Sequence, residues 1–405
     1  MPDKLTVPPS ENTVRVRMID STARFTLQAE SFFEPSQRGL QCYEVPDVAF
    51  LIDHEPSGRA VMFDLGVRKD YWNLPKVMLH RLSTDIISNV KIDSDVPDIL
   101  LENGIMLEKI SAVIWSHYHW DHIGDMSLFP FSTSLVVGPG FKAAPNLLPG
   151  YPLKEDSPVS ANAFTGRDLE EIDFSQSELT IGGFRAFDFF SDGSFYLLDT
   201  PGHCIGHICG FARTSVGPES SFVFLGGDIC HFAGCFRPSP DSPLPPIIPA
   251  GILDANDDHS DPFPATTFTN SYSAARPDED PLSTPFSKIS TIPTSAFAFP
   301  DVSQQTVEKL IAFDTSPQVL ICFAHDQSLP LFLPTMNTSP KECLNDWRSK
   351  GLKEQCHWDW LNILPTGKSS GRTPVVQEMW KDGKPWPGGK DKLRAKSRGE
   401  DVTEL

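Results

Sequence analysis

The feature that most constrains the fold of this chain is a ten-residue segment, SHYHWDHIGD, at 116–125. Four side chains that can ligate metals fall within six of its positions: His117, His119, Asp121 and His122. The residues at 111–116, SAVIWS, are small, β-branched and aromatic, which predicts a buried strand. Buried imidazoles and carboxylates are costly without partners, and divalent cations supply partners for both. The segment therefore predicts a metal site on the loop that leaves this strand.

Three more potential ligands lie farther along the chain, each after a predicted strand. His203 ends the turn TPGH, Asp228 ends FLGGD, and His325 ends FAH. The two glycines before Asp228 allow the backbone to approach other groups closely. With the first four side chains, these make five histidines and two aspartates in a chain of 11 histidines. Such a set predicts a site for two metals.

The remaining pattern predicts an α/β fold of short strands and few helices. A hairpin is expected between the strands 48–52 and 60–64, and another across Gly182 and Gly183. Asp95 is expected to cap one helix, and Asp301 to cap a second helix that runs to about Phe313. The apolar run VLICF at 319–323 predicts a buried strand directly before the last histidine ligand.

The motifs SHYHWDHIGD, DTPGHCIGH, GGDICH and FAHD, in this order between 63 and 326, resemble those of the metallo-β-lactamase superfamily. Within it, the chain is similar to the lactonase-type hydrolases that degrade acyl-homoserine lactones, especially their fungal relatives. The resemblance implies a four-layer αββα sandwich with the metals at one edge. It also implies the distribution of ligands: His117, His119 and His203 on one metal, Asp121, His122 and His325 on the other, and Asp228 bridging both.

The implied chemistry is that of two divalent ions, with Zn²⁺ expected first and Fe²⁺ or Mn²⁺ as alternatives. Such a pair lowers the pKa of a water between the ions and yields a bridging hydroxide that attacks a carbonyl carbon. Asp121 is predicted to be catalytic as well, orienting that nucleophile and passing a proton to the leaving group. This chemistry suits esters, lactones, thioesters and lactams alike.

His231 marks a departure from the lactonase pattern, which usually has a tyrosine three residues after the bridging aspartate. We predict that His231 is catalytic and donates a hydrogen bond to the substrate carbonyl in place of that tyrosine. The alternative is a hydrogen-bonded core residue.

The favoured function is hydrolysis of a lactone or a related cyclic ester or lactam. The alternative enzyme is a thioesterase that releases acyl or polyketide chains from a carrier protein. A single-iron persulfide dioxygenase is disfavoured because all seven ligands are present. The non-enzyme alternative is a metal-binding scaffold without turnover.

The net charge and the apolar residues of the chain limit the kinds of partner that it is expected to bind. Acidic residues exceed basic ones by 53 − 34 = 19, which disfavours nucleic acid and anionic lipid as partners. A small apolar or aromatic carbonyl substrate is expected, with Trp72, Met78, Trp120 and the Phe-rich region 184–195 as candidate pocket walls or, alternatively, as core. Few cysteines, no CxxC pair and no apolar run of signal or membrane type predict a cytoplasmic protein.

The domain prediction is one metallo-β-lactamase domain over residues 1–380. Residues 237–300 are rich in Pro and Ser and are expected to form an insertion that can act as a lid. Residues 381–405 are polar and are expected to form a flexible tail.

Overall fold

The computed structural model of the chain describes residues 5–36, 39–254, 263–269, 276, 278–366 and 370–400. Two β-sheets form its centre. The strands of the first sheet, in pairing order, are β5 (Ile87–Lys91), β1 (Arg15–Gln28), β3 (Cys42–His54), β4 (Arg59–Phe63), β6 (Ile110–Ile114), β7 (Ser134–Val137) and β8 (Leu169–Glu171). Those of the second are β17 (Val319–Cys322), β13 (Phe222–Leu225), β12 (Ile208–Arg213), β11 (Phe195–Asp199), β10 (Phe184–Asp188) and β9 (Thr180–Ile181).

Helices and short strand pairs complete the described structure. The helices are α1 (Lys76–Leu82), α2 (Val96–Glu102), α3 (Pro300–Asp314), α4 (Ser328–Phe332), α5 (Leu352–His357) and α6 (Gly389–Ser397). The short pairs are β2 (Phe33–Glu34) with β16 (Lys288–Ile289), β14 (Ile247–Ile248) with β15 (Phe263–Pro264), and β18 (Trp380–Lys381) with β19 (Lys384–Pro385). None of the helices in the described ranges is long and apolar enough to cross a membrane.

The two sheets pack face to face, and a helix covers the outer face of each. Alternate residues of a strand face opposite sides of its sheet, so β3 directs Phe50 into the core between the sheets and Leu51 toward α2. In β11, Leu197 likewise faces the shared core, while Leu198 lies in the outer core with Phe313 of α3. These layers confirm the predicted αββα sandwich.

Local sequence explains most element boundaries. The predicted hairpins form, since β3 pairs antiparallel with β4 and β9 with β10. Asp95 caps α2, where its side chain accepts a hydrogen bond from the backbone nitrogen of Asp98 at 3.2 Å. The prediction that Asp301 caps α3 is wrong, because Pro300 begins the helix and no side-chain cap is made. Proline suits a first helical position because its fixed φ is already helical and its missing N–H is not needed there.

The segment predicted to be a flexible tail differs from that expectation over residues 381–400. It continues the β18–β19 hairpin and forms α6, whose Leu393 is fully buried. The side chains of Lys390 and Arg394 donate to the backbone carbonyls of Thr84 and Ser83, directly after α1. The few apolar residues of this polar segment therefore dock on α1, a contact that composition alone does not reveal. Residues 401–405 lie outside the described residues.

The insertion at 237–300 is described in part, since residues 255–262, 270–275 and 277 lie outside the described residues. Near its end, the insertion forms β16, which pairs with β2 in a separate two-stranded sheet. The backbone nitrogen of Ala296 donates to Ser31 at 2.8 Å, and that of Ala298 donates to the carbonyl of His203 at the same distance. The end of the insertion is thus tied directly to a predicted metal ligand.

Candidate metal centre

The seven predicted ligands come from loops that follow four strands. His117, His119, Asp121 and His122 follow β6, whereas His203, Asp228 and His325 follow β11, β13 and β17. The strands β11, β13 and β17 run in the same direction, because β12 is antiparallel to both of its neighbours and β17 is parallel to β13. Their carboxyl ends therefore meet at one edge of the sandwich, next to the end of β6.

The seven side chains form two groups that share Asp228. Within each group the potential ligand atoms lie within 4.8 Å of one another; the groups are His117, His119, His203 and Asp228, and Asp121, His122, His325 and Asp228. These are the two sets that the resemblance implied, and their role as ligands stays a prediction.

Asp228 directs one carboxylate oxygen toward each group. Its Oδ2 atom lies 3.4 Å from Nε2 of His117 and 3.2 Å from Nε2 of His203. Its Oδ1 atom lies 3.0 Å from Nε2 of both His122 and His325. A carboxylate between two histidine groups is the arrangement of a ligand that bridges two cations.

The chemistry of these donors fits divalent metal ions. The Nε2 atoms of His117, His122 and His325 are buried and make no hydrogen bond within the described structure. Within the first group, Nε2 of His203 lies 2.8 Å from Nδ1 of His119. Two ring nitrogens so close need a proton or a cation between them, and imidazole and carboxylate are common ligands of zinc, iron and manganese. The cluster is thus suited to binding two metals.

Burial and nearby charges shift the pKa values of the histidines in the cluster in different directions. Burial lowers the pKa of His203 to about 4 and holds the pKa values of His117 and His119 well below the usual value. Burial also lowers the pKa of His325, but the negative charge of Asp228 outweighs it and raises that pKa to about 9. Neutral histidines are ready to bind a cation, whereas a charged one must first release its proton.

A second layer of residues orients the ligands, and Asp64 is the member that sequence reasoning missed. Its Oδ2 atom accepts a hydrogen bond from Nδ1 of His122 at 2.9 Å, and its Oδ1 accepts one from the backbone nitrogen of Ser116 at 2.6 Å. Asp64 directly follows β4, the parallel neighbour of β6, so its place at that strand end is the signal that could have found it. The backbone carbonyl of Pro46 accepts from Nδ1 of His325 at 2.8 Å.

His207 belongs to the same layer and not to the ligand groups. Its Nδ1 atom donates to the carbonyl of Thr200 at 2.9 Å, and its Nε2 accepts from the backbone nitrogen of Asp228 at 3.1 Å. Both ring nitrogens are therefore used. Burial lowers the pKa of His207 to about 3, which keeps the ring neutral and able to accept this bond.

His231 lies at the cluster, three residues after Asp228. Its Nε2 atom is 3.1 Å from Oδ2 of Asp228, and its Nδ1 is buried without a hydrogen-bond partner in the described structure. The ring stacks on His325 at a centroid distance of 5.2 Å and lies 4.6 Å from the ring of Phe32. His231 also lines the cavity beside the cluster. Its catalytic role stays a prediction.

A cavity of about 530 Å³ opens onto the ligands. Apolar residues form much of its wall, among them Phe25, Phe32, Met78, Trp120 and Ala296. Of the apolar residues proposed from sequence, Met78 and Trp120 line this cavity. The others do not: Trp72, Phe184, Phe187, Phe189, Phe190 and Phe195 pack in or against the hydrophobic cores, as the alternative interpretation held.

Comparison with known proteins identifies the family of the chain. The sequence pattern of the family described as "Metallo-beta-lactamase superfamily" matches residues 43–214. The chain is 39% identical to "Gamma-lactamase FDB1" of Fusarium pseudograminearum, over 94% of this chain and 87% of that protein. It is 38% identical to "Metallo-hydrolase mfmC" of Annulohypoxylon moriforme, over 89% of this chain and 90% of that protein.

A solved structure of a quorum-quenching N-acyl homoserine lactone lactonase is also similar, with a sequence identity of 15% and a TM-score of 0.49. The superposition covers 81% of this chain and 99% of that chain. The similarity to the two fungal proteins extends over 94% and 89% of this chain. The chain therefore belongs to the metallo-β-lactamase superfamily of metal-dependent hydrolases.

Proposed function

We propose that this protein is a two-metal hydrolase that opens a lactam or lactone ring in a small organic substrate. The observation that carries the proposal is the position of Asp228, whose two oxygens each face a separate group of histidines at 3.0–3.4 Å. His117, His119 and His203 would hold one ion, Asp121, His122 and His325 the other, and Asp228 both. Zinc suits these nitrogen and oxygen donors, and Fe²⁺ or Mn²⁺ would fit the same set.

Two bound divalent ions supply a nucleophile at neutral pH and polarise a carbonyl oxygen. Asp121 lines the cavity with Oδ2 3.5 Å from Nε2 of His325, so its carboxylate can orient the nucleophile and carry a proton to the leaving nitrogen or oxygen. His231, which lines the cavity, would donate a hydrogen bond from its ring to the substrate carbonyl. The apolar side chains of the wall would pack against the substrate.

The choice of a cyclic amide or ester rests on the relatives and on the cavity. Two of the relatives carry gamma-lactamase names, including one from Gibberella moniliformis that is 50% identical over 46% of this chain. The volume of about 530 Å³ is in the range of small-molecule pockets, and the wall is largely apolar. A compact ring with a carbonyl fits this environment.

Elemental analysis combined with turnover tests the proposal. The wild-type protein is expected to hold close to two metal ions per chain and to hydrolyse members of a lactam and lactone panel. His117→Ala should lower the metal content and reduce turnover by at least roughly a hundredfold. His54→Ala is a matched control, since His54 is buried elsewhere and bonded to Asp192. A wild-type protein that folds with two ions and hydrolyses no lactam or lactone would refute the proposal.

We also propose that the described part of the chain forms one domain, with the end of the insertion serving as a wall of the active site. Pro293, Thr294, Ser295 and Ala296 line the cavity. Phe297 contacts the rings of His203 and His231 edge-on, at 5.1 and 5.4 Å. Deleting 290–297 should therefore raise KM, and an unchanged KM in a folded variant would exclude this role.

A cytoplasmic location is part of the same proposal. All eight cysteines are free thiols, and six of them are buried. Reduced thiols are typical of reducing compartments. Fractionation of the source cells, with detection of the native protein, is the direct measurement.

A further inference from the structure

The wall of the active-site cavity contains one arginine, Arg81, in the last turn of α1. Met78 lies one helical turn earlier on the same face and lines the same cavity. Within the described ranges, no side chain or carbonyl forms a hydrogen bond or ion pair with the Arg81 guanidinium. This group is half-buried beside a reaction centre and has five donors to satisfy.

The absence of a partner is unusual for this chain, whose acidic residues outnumber its basic ones by 19. Other partly buried arginines are paired with carboxylates. Arg68 bonds Asp70, and Arg17 bonds Asp53 at 2.8 Å. A chain so rich in acids easily supplies a carboxylate to an arginine, so a guanidinium left open in a cavity is available for a ligand.

Besides Asp121 and Asp228 of the candidate metal centre, the cavity wall contains one acidic residue, Asp156, and it is paired with another cation. Asp156 lines the cavity, but its carboxylate pairs with Lys154 at 3.1 Å. Its neighbour Glu155 pairs with Lys76 at 3.1 Å. The charge of Arg81 is therefore directed to the cavity and is not neutralised by its rim.

Arg81 and the candidate metal centre line the same cavity. His119 and Asp228 are among the candidate ligands in its wall. The cavity has a volume of about 530 Å³, which is in the range of small-molecule pockets. A small molecule bound in this cavity therefore lies beside both the guanidinium and the candidate metal site.

The helix that carries Arg81 is held in place from outside. Arg394 and Lys390 of α6 donate to the carbonyls of Ser83 and Thr84, the two residues after α1, at 2.9 and 2.7 Å. Restraint at the end of the helix lowers the entropy lost when Arg81 binds a ligand. The cavity therefore offers a fixed cationic contact and an apolar wall.

We propose that Arg81 binds a carboxylate of the substrate, so that the enzyme prefers lactams and lactones that carry an acidic substituent. A planar guanidinium and a carboxylate form paired, charge-assisted hydrogen bonds, which are stronger than neutral ones. The inference names the substrate class of the proposed hydrolase and rests on that function. It makes Arg81 a specificity-determining residue that acts at a distance from the scissile bond.

The kinetic test compares substrates that differ only in the acid. Zinc-loaded protein is assayed on γ-butyrolactone and its 5-carboxylate, and on 2-pyrrolidinone and 5-oxopyrrolidine-2-carboxylate. The wild type should favour the carboxylated member of a pair. Arg81→Gln should lower kcat/KM for that member by roughly 10- to 100-fold and leave the neutral member within about threefold. Arg81→Lys keeps the charge but lacks the planar guanidinium. Its kcat/KM for the carboxylated member should lie between those of the wild type and Arg81→Gln.

A second experiment measures the binding of carboxylate and neutral ligands that are not substrates. The zinc-loaded protein is titrated calorimetrically with benzoate and with benzamide, which have similar shapes but differ in charge. Arg81→Gln should lower the affinity for benzoate by roughly tenfold or more and leave the affinity for benzamide unchanged. Arg185→Gln is the matched control, because it removes one exposed positive charge away from the cavity. Metal content and melting temperature verify that each variant folds.

The outcomes separate the two proposals. Absence of lactam and lactone turnover in the wild type, with benzoate binding still dependent on Arg81, would refute the proposed reaction and keep the carboxylate site. Turnover of neutral and acidic rings at equal rates, with benzoate affinity unchanged in Arg81→Gln, would overturn the inference alone.

Discussion

Asp64 holds His122 through a hydrogen bond of 2.9 Å between its Oδ2 atom and Nδ1 of the imidazole, which leaves Nε2 free to face Asp228. The other oxygen of Asp64 accepts the backbone N–H of Ser116. One carboxylate therefore fixes both the ring of a candidate ligand and the start of the loop that carries four of them. Its backbone has a φ of 62°, a conformation that aspartate and asparagine tolerate better than most residues.

Asp64→Asn is expected to weaken metal binding while the fold persists. Asparagine can still accept from Ser116, but its amide cannot accept the proton on Nδ1 of His122. Loss of such an outer partner typically costs 10- to 100-fold in metal affinity. Competition with a chelator measures this loss. Asp125→Asn, which alters a carboxylate bonded to Ser127 and Arg68, should change metal affinity much less. Equal affinities in both variants would contradict the role of Asp64.

His231→Phe is expected to lower kcat by roughly 100-fold while two metals remain bound, because it removes a hydrogen-bond donor and keeps a ring of similar shape. His231→Tyr restores a donor and should retain more activity than the phenylalanine variant. Steady-state kinetics on the best lactam or lactone, with metal content determined in parallel, is the measurement. If the two variants have the same kcat, His231 is a packing residue.

Gly227→Ala is expected to destabilise the protein because Gly227 supports Asp228 from a left-handed conformation with a φ of +48°. A Cβ atom there would lie 2.7 Å from Cβ of Ser116, which is too close for two carbon atoms. The loss in unfolding free energy should be about 2–4 kcal/mol, from overpacking and backbone strain together.

Gly104→Ala is the control for the glycine prediction. Gly104 has a φ of +74°, but nothing lies within 4 Å of an added Cβ. Only the backbone cost of about 1 kcal/mol should appear. Denaturant unfolding of the two variants in matched metal-loaded form gives the comparison, and similar losses would show that the contact with Ser116 relaxes.

The pH dependence of stability in acid should depend on His357, a buried residue that is not among the candidate ligands. Burial and the charge of Arg237 lower the pKa of His357 to about 3, below its ordinary value of 6.5. Between these values the unfolded chain binds a proton that the folded protein excludes, so stability falls as the pH drops from about 6.5 to 3.

His357→Gln removes this titrating group. The loss of unfolding free energy between about pH 6.5 and pH 3 should therefore be smaller in the variant than in the wild type by roughly 2–4 kcal/mol. Glutamine retains a polar group toward Ser242, which lies 3.0 Å from Nε2 of the histidine. The measurement is the difference in unfolding free energy between the two proteins across this range in the presence of excess metal. A constant difference would mean that His357 is already protonated in the folded state.

Much of this protein was determined by its sequence alone. Alternating and apolar runs predicted the strands, and the clustered ligands of SHYHWDHIGD predicted a metal site, because local periodicity and the cost of burying polar groups are properties of short segments. Asp95 could likewise be assigned as a cap from its neighbours.

Other features were decided by tertiary structure. The parallel arrangement of β4 and β6 brings Asp64 to His122 across 58 positions of sequence. The position of Asp64 at a strand end marks it as a candidate, but only the pairing of the two strands shows that His122 is its partner. Docking on α1 orders a C-terminal segment that composition predicted to be flexible. The same docking fixes Arg81, whose lack of a carboxylate partner is visible only when its surroundings are known. Long-range contacts depend on how sheets and helices assemble, which is why they required the folded structure.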